Sequence, residues 1–292
     1  MKIGVVGRGF VGGSIEKFIS NNTVHAVISY DIKDDSNIQK SYQKIVDECS
    51  IIYLCVPTPM DIEGNCYTEV VKGSIELLSS CAKKSNRCPM VLIKSTMVPG
   101  TTEKLKQEYK NLIFVTNPEF LTERTAYQDL CNSKIHVLGL ENTDKYNNPI
   151  KNVLESLHNS LWPESECVFV SNTQAEMIKY LTNSFYAYKV TFANHIYQLC
   201  QSMGVDYDGF IQAAIKSDPR LGELHWNVPG PDGSLGFGGK CFPKDFNGMI
   251  KLMEQNGVDS DILKKVWEYN LNIREEQDWN KIEGATCQRQ DQ

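Results

Sequence analysis

The stretch that decides the fold is KIGVV at residues 2–6, followed directly by GRGFVG at residues 7–12. The short apolar run predicts a strand, and Gly7, Gly9 and Gly12 follow the spacing G-x-G-x-x-G. In that spacing the first glycine allows a tight turn, the second admits a pyrophosphate, and the third allows close helix–strand packing. The N-terminus of the helix that follows attracts an anion. The stretch therefore predicts the first βα unit of a dinucleotide-binding domain.

The same alternation of strands and helices continues through the first half of the chain. Apolar, β-rich runs predict further strands at 25–30, 51–56, 90–94, 112–116 and 135–140. Amphipathic stretches near 12–20, 37–48, 68–85 and 101–110 predict the helices between them. Several runs are almost continuously apolar, as parallel strands buried on both faces are. We therefore predict an α/β fold whose first domain, residues 1–170, is a Rossmann-type, doubly wound parallel sheet.

The second half begins with one long stretch, Ser171 to Met203, that contains neither proline nor glycine. Its apolar residues step by three or four positions, which predicts a helix about 45 Å long that ends at Gly204. We predict an all-α second domain, residues 171–292, built on this central helix. The helix carries more aromatic residues than one core-facing stripe needs, so we expect residues 173–203 to form much of a homodimer interface. These aromatic residues are Tyr180, Phe185, Tyr186, Tyr188, Phe192 and Tyr197.

The choice of dinucleotide depends on Asp31, which ends the second predicted strand 19 residues after Gly12. A carboxylate there accepts hydrogen bonds from both ribose hydroxyls and repels a 2′-phosphate, which predicts NAD rather than NADP. Lys33 lies close by and weakens this preference. The alternative is a turn with incidental glycines, and the strand–helix context of the motif argues against it.

Composition excludes several classes of protein. The net charge is −6 with scattered Lys and Arg, so a nucleic-acid partner is not expected. No run approaches the roughly 18 apolar residues of a membrane span, and the first residues lack a signal-peptide pattern, so we expect a cytoplasmic protein with no membrane partner. The ten cysteines include no CxxC and no nearby histidine at ligand spacing, which argues against a disulfide framework and a metal site.

Two further patterns are candidates for chemistry. Lys179 and Asn183 are four residues apart and share one face of the long helix. In SLGFGGKCFPKDF, residues 234–246, a glycine-rich loop whose amides could approach a phosphate precedes Cys241, and Asp245 follows one helical turn later. Cys241 is therefore either a nucleophile, because a helix N-terminus and a nearby lysine lower a thiol pKa, or a buried structural cysteine.

Seven blocks of the sequence together resemble the UDP-glucose/GDP-mannose dehydrogenase family of nucleotide-sugar dehydrogenases. They are GVVGRGFVG (4–12), LCVPTP (54–59), KSTMVPGTT (94–102), NPEFLTERTA (117–126), AEMIKYLTNSF (175–185), SDPRLG (217–222) and GFGGKCFPKD (236–245). The resemblance spans nearly the whole chain in family order, and the last block is highly specific. It implies a two-step oxidation of a sugar C6 alcohol to an acid with two NAD⁺, most simply UDP-glucose to UDP-glucuronate.

The resemblance also implies the roles of single residues. Cys241 would capture the C6 aldehyde, and Lys179 and Asn183 would stabilise charge on the C6 oxygen. Asp245 would position water or relay protons, and Glu119 would be the base of thioester hydrolysis. Thr96 and Glu123 match positions near that water and the nicotinamide.

The binding residues follow from the same blocks and, for Asp31 and Lys33, from the end of the second predicted strand. Contacts to the cofactor are implied for Gly7, Gly9, Phe10, Val11, Gly12, Asp31, Lys33, Val56, Pro57, Thr58, Thr96, Glu123 and Lys244. Contacts to the nucleotide-sugar substrate are implied for Glu119, Phe120, Leu121, Lys179, Asn183, Arg220, Phe237, Gly238 and Cys241, and Arg220 would reach the substrate of a neighbouring subunit.

Two departures from the family pattern keep alternatives open. Arg124 stands where many relatives carry Gly or Ser, and the 292 residues leave no room for the third, nucleotide-binding domain of full-length relatives. We therefore expect a short form of the enzyme. The alternatives are GDP-mannose or another nucleotide sugar as substrate, a hydroxyacid dehydrogenase with a single hydride transfer, and a non-catalytic, dimeric NAD-binding module.

Overall fold

The computed structural model describes residues 1–34, 37–140 and 149–287. The chain forms two compact units, which we call unit 1 (Met1–Thr58 and Thr68–Lys179) and unit 2 (Pro59–Tyr67 and Tyr180–Gln292). This division differs from the predicted boundary after residue 170 in two respects. The first turns of the long helix belong to unit 1, and the short segment Pro59–Tyr67 belongs to unit 2.

Unit 1 contains a seven-stranded sheet with the strand order β2-β1-β3-β4-β5-β6-β7. The strands are β1 (Lys2–Val6), β2 (Ala26–Tyr30), β3 (Ile51–Leu54), β4 (Met90–Ile93), β5 (Ile113–Thr116), β6 (Ile135–Gly139) and β7 (Glu166–Val170). All pairs are parallel except β5 and β6, which meet antiparallel at Thr116 and Gly139. The six predicted strands are confirmed. The prediction missed β7 and the reversal at β6, so the sheet is mostly rather than wholly parallel.

Helices cover both faces of this sheet. They are α1 (Phe10–Asn22), α2 (Ile38–Glu48), α3 (Glu69–Lys84), α4 (Thr101–Glu108), α5 (Ala126–Cys131) and α6 (Pro149–Leu161). Leu54 and Ile93 point into one apolar cluster, whereas Tyr53 and Leu92 point into another on the opposite face. Because both faces are buried, successive residues of these strands must all be apolar, which is the pattern read from the sequence.

Unit 2 is helical, as predicted. Helix α7 (Asn172–Met203) begins in unit 1 and continues into unit 2, where α8 (Tyr207–Ser217), α9 (Phe242–Gln255) and α10 (Asp261–Ile273) follow. At the end of α7, Gly204 takes a φ of +67° and its N–H donates to the carbonyl of Gln201, while Val205 donates to Cys200. This Schellman arrangement needs a left-handed residue, which is why the helix ends at a glycine.

Close helix packing in unit 2 also depends on a glycine. A Cβ atom on Gly248 of α9 would lie 2.7 Å from the ring of Tyr180 on α7. Within the three described ranges, the ten cysteines form no disulfide bond. None of the helices there has the length and apolar character needed to cross a membrane.

Candidate active site

The predicted dinucleotide loop lies at the carboxyl end of β1. Gly7 has a φ of +85°, and its N–H donates to the Tyr30 carbonyl at 2.8 Å. A Cβ on Gly12 would lie 1.8 Å from the Gly7 carbonyl oxygen, so only glycine fits there. A Cβ on Gly9, in contrast, would meet nothing within 4 Å. The loop is tight at Gly7 and Gly12 and open at Gly9.

The open side of the loop fits a pyrophosphate. Gly9 caps α1 without a side-chain hydrogen bond, and the first turn of α1 carries no acidic residue. The helix N-terminus therefore presents its partial positive charge without a carboxylate of its own helix beside it. Phe10 and Val11, in the same turn, are half-buried.

Asp31 follows β2 and turns towards the same loop. Its carboxylate accepts the Arg8 N–H at 2.6 Å and the Lys33 N–H at 3.1 Å. Partial burial opposes ionisation of Asp31, but these two N–H groups and the charges of Arg8 and Lys33 together lower the pKa of the carboxyl. The Asp31 carboxylate is therefore an anion fixed beside the dinucleotide loop. The side chain of Arg8 pairs with Asp34.

We expect NAD⁺ to bind about tenfold more tightly than NADP⁺, because the Asp31 carboxylate repels a 2′-phosphate. Asp31→Asn removes the charge, so the affinity for NAD⁺ should fall and the difference between the two cofactors should narrow. Titration calorimetry with both cofactors measures this, with Asp47→Asn as a control at an exposed site outside the loop. Equal affinities for the two cofactors in the unsubstituted protein would contradict the prediction.

The loops after β3 and β4 lie next to each other. Val56 and Thr58 are buried and Pro57 is exposed, and the Ser95 hydroxyl donates to the Val56 carbonyl at 2.6 Å. Thr96 is half-buried in the second of these loops. The sequence prediction passed over Lys94, which is buried at the end of β4, where burial lowers its pKa to about 8. A lysine directly after an apolar strand was the available signal.

A buried ion pair in unit 1 links two of the matched blocks, NPEFLTERTA and AEMIKYLTNSF. The Lys179 ammonium donates to the Glu119 carboxylate at 3.0 Å and to the Glu119 carbonyl at 2.6 Å. The other Glu119 oxygen accepts the Leu121 N–H at 2.6 Å. Lys179 also lies 5.6 Å from the centre of the Phe120 ring. The structure therefore brings together Glu119, Phe120, Leu121 and Lys179.

The first turns of α7 hold Lys179 in this position. Glu176 accepts the Gly100 N–H at 2.6 Å and the Thr102 N–H at 2.9 Å, at the start of α4. Asn172 accepts the Thr116 N–H at 2.9 Å, at the end of β5. Burial raises the pKa of Glu176 although these N–H groups oppose the effect. Glu176 was not predicted, and its place three residues before Lys179 in the matched block was the only hint.

Unit 2 holds a second group of predicted residues. Cys241 caps α9 and is half-buried, and its carbonyl accepts the Asp245 N–H at 2.9 Å. The carboxylate of Asp245 is fully buried, accepts the Asn183 amide and pairs with the ammonium of Lys244. Burial opposes the charge on Lys244, but Asp245 and the thiols of Cys66 and Cys241 raise its pKa. A polar group of this kind is costly to bury without partners, and here each charge has one.

Other predicted residues are exposed or packed in the core of their own unit. Glu123 and Arg124 are exposed on a short turn, and Arg220 is exposed and forms two bonds to Asp218, at 2.7 and 2.8 Å. The ring of Phe237 is buried in the core of unit 2. The N–H groups of Gly236, Phe237 and Gly239 donate to side chains of unit 2. This corrects the expectation that the amides of this loop face a phosphate.

Comparison with protein families gives two matches. Residues 34–161 match the NAD-binding domain of the UDP-glucose/GDP-mannose dehydrogenase family, and residues 173–272 match its central domain. Among curated proteins, UDP-glucose 6-dehydrogenase of Rickettsia prowazekii is 31% identical over 75% of this chain and 48% of its own length. This chain spans between 22% and 69% of the length of eight curated relatives that it matches.

Solved structures share the fold. A UDP-glucose dehydrogenase from Pyrobaculum islandicum superposes with a TM-score of 0.77 at 23% identity, over 93% of this chain and 68% of that one. The 3-hydroxyisobutyrate dehydrogenase of Mycobacterium tuberculosis superposes with a TM-score of 0.70 at 13% identity, over 95% of both chains. The fold alone therefore does not separate the two kinds of dehydrogenase.

Proposed function

Because the chain belongs to the UDP-glucose/GDP-mannose dehydrogenase family, we propose that it oxidises the C6 alcohol of a nucleotide sugar to the acid with NAD. UDP-glucose is the substrate we propose first. The observation that carries the proposal is the fully buried Asp245, held by Asn183 and Lys244 one turn after Cys241. A structural cysteine at a helix start needs no such group of buried charges around it.

In the first oxidation, Lys179 and Asn183 stabilise the negative charge that develops on the C6 oxygen. They lie one turn apart on α7, so both can face one oxygen atom. NAD⁺, when bound, accepts a hydride from C6 in each of the two oxidations. Gly9, Asp31 and the loops after β3 and β4 hold and orient this cofactor.

Cys241 then forms a covalent bond to the substrate. The thiol first loses its proton, the thiolate sulfur attacks the C6 aldehyde, and the new C6 oxygen takes up one proton to give a thiohemiacetal. Loss of the remaining hydride from C6 and of the hydroxyl proton converts it to a thioester. Lys244 and the helix N-terminus favour the thiolate that attacks. Asp245 positions water or relays the proton in this step.

Hydrolysis releases the product. Water adds to the thioester, Glu119 accepts a proton from it, and the C6–S bond breaks to give the acid and the Cys241 thiol. Lys179 lies 3.0 Å from the Glu119 carboxylate and so fixes the position of that group. In total, one alcohol, two NAD⁺ and one water give one carboxylate, two NADH and three protons.

Formation of NADH with a panel of nucleotide sugars tests the proposal. Two NADH per substrate with UDP-glucose would support it in full, and two NADH with GDP-mannose would change the substrate only. One NADH per substrate from a simple hydroxyacid would favour the fold relative of that class. NAD⁺ binding without turnover of any of these compounds would favour a non-catalytic module.

We also expect a homodimer through α7. Several large apolar side chains of its unit 2 portion are exposed, including Leu181, Phe185 and Phe192. Replacing Leu181 and Phe185 by Ser should shift the sedimentation of the protein from dimer to monomer. Exchange of the exposed Lys216 on α8 for Ser is the control and should leave the dimer intact. A monomer at micromolar concentration before any substitution would contradict the expectation.

A further inference from the structure

The loop that leads to Cys241 is formed largely by glycine, and we call residues 233–239 the glycine loop. Gly233, Gly236 and Gly239 have φ values of +81°, +70° and +77°. Glycine adopts this region readily, but it also gives the loop many competing conformations. A single conformation therefore needs partners outside the loop. Cys241 follows two residues later, so any drift of the loop would move the thiol.

Asn270 of α10 provides the main partner. Its Oδ1 accepts the Phe237 N–H at 2.7 Å, and its Nδ2 donates to the Phe237 carbonyl at 3.0 Å. Both backbone groups of one loop residue are thus bound by one side chain. Asn270 is fully buried. The match needs a planar group with one donor and one acceptor, which an amide has and a carboxylate lacks.

Neighbouring side chains bind the rest of the loop. Asn194 of α7 accepts the Gly236 N–H at 3.2 Å, and Asp278 accepts the Gly239 N–H at 3.0 Å. Arg274, one turn after Asn270, pairs with Asp278 at 3.0 Å and donates to the Leu235 carbonyl at 3.3 Å. The backbone of the loop is therefore bound at Leu235, Gly236, Phe237 and Gly239.

Close packing restricts the loop at Gly236 and Gly238. A Cβ on Gly236 would lie 2.4 Å from the Asn270 amide oxygen, and one on Gly238 would lie 2.1 Å from the Arg274 guanidinium. The Phe237 ring packs 5.4 Å from Phe246 of α9. Phe237 is therefore held by its backbone against α10 and by its ring against the helix that Cys241 caps.

We propose that Asn270 is a positioning residue for Cys241, and that it acts through the two hydrogen bonds that fix Phe237 in the glycine loop. The expected effect on turnover rests on the proposed function. The expected effect on the reactivity of the Cys241 thiol does not. A misplacement of a reacting group by about 1 Å can cost on the order of a hundredfold in rate.

The test is Asn270→Asp, which keeps the shape of the side chain but removes the donor to the Phe237 carbonyl. We expect kcat for NADH formation to fall about tenfold or more while KM for NAD⁺ stays unchanged, because the dinucleotide loop and Asp31 belong to unit 1. The rate of Cys241 alkylation by iodoacetamide, followed by peptide mass spectrometry, should change about threefold or more. The exposed Cys88 serves as the internal reference in the same samples.

Asn256→Asp is the matched control. Asn256 lies exposed at the other end of α9, and its amide also donates to a backbone carbonyl, that of Leu252 at 2.8 Å. This variant should leave both rates unchanged. If Asn270→Asp does not fold, Asp278→Ala removes the acceptor of the Gly239 N–H from a more exposed position and decides the question by the same two measurements.

A folded Asn270→Asp variant with unchanged kcat and unchanged Cys241 alkylation would overturn the proposal. The alkylation rate needs neither substrate nor NAD⁺. If the unsubstituted protein forms no NADH with any nucleotide sugar, the proposed function fails, and the thiol rate alone then supports or overturns the role of Asn270.

Discussion

Cys241→Ala should abolish formation of the acid, with steady NADH formation falling on the order of a thousandfold or more. Without the thiol there is no covalent bond to the aldehyde, so the second oxidation has no thiohemiacetal to act on. Binding of NAD⁺ should be unchanged, since Gly7, Gly9, Gly12 and Asp31 lie in unit 1 and Cys241 lies in unit 2. Single-turnover NADH yield per site and NAD⁺ titration measure the two effects.

The Cys241→Ser variant removes the thiol nucleophile but keeps a side chain of similar shape. A serine hydroxyl is a far weaker nucleophile at neutral pH, and its oxygen ester hydrolyses less readily than a thioester. We expect the acid to disappear almost completely, leaving a slow first burst of NADH or an adduct at the aldehyde level. Cys88→Ala, at an exposed thiol outside the site, should behave like the unsubstituted protein. Two NADH per site from Cys241→Ala would show that the thiol is structural.

Mild acid should destabilise unit 1 strongly, through His136 on β6 and His158 on α6. Burial, together with a smaller contribution from the charge of Lys94, lowers the pKa of His136 to about 2 and that of His158 to about 4. Both Nε2 atoms lack a hydrogen-bond partner among the residues described. Both rings pack at a tilt against Trp162, with centroid distances of 4.4 Å for His136 and 5.6 Å for His158. Neither ring can accept a proton easily in the folded state.

The sign follows from the unfolded chain, where a histidine has a pKa of about 6.5. Below that pH the unfolded chain binds protons that the folded chain does not, so the free energy of unfolding falls as pH falls. At pH 5 the loss is about 2 kcal/mol for each ring and about 4 kcal/mol for the pair. Little is lost above pH 7, where both states hold these rings neutral.

Urea unfolding at pH 7.5 and pH 5 measures this effect. His136→Phe keeps a flat ring against Trp162 and removes one titrating group, so about 2 kcal/mol of the pH dependence should vanish. His195→Gln is the control, because His195 is exposed on α7 and its loss should leave the pH dependence in place. An equal free energy of unfolding at the two pH values before substitution would contradict the assignment.

The fold was largely predictable because its signals are local. Two-sided burial of a parallel sheet forces apolar runs such as 51–54 and 90–93, and the spacing of Gly7, Gly9 and Gly12 records the turn they form. The length of α7 follows from the absence of Pro and Gly up to Gly204. The reversal at β6 was not predictable, because an apolar strand has the same composition in either direction.

The candidate residues were found by sequence, but their partners were not. Residue types and spacing by themselves singled out Asp31, Lys179, Asn183, Cys241 and Asp245. These signals are local, because a carboxylate directly after the second strand and a thiol directly after a glycine-rich loop can be recognised within a short stretch of sequence. Tertiary structure alone decided that Glu119 binds Lys179 60 residues away, that Lys94 is buried, and that Asn270 holds Phe237 33 residues away. These contacts depend on how strands and helices distant in sequence pack, and a Lys or Asn has the same letter whether it lies in solvent or in a buried network.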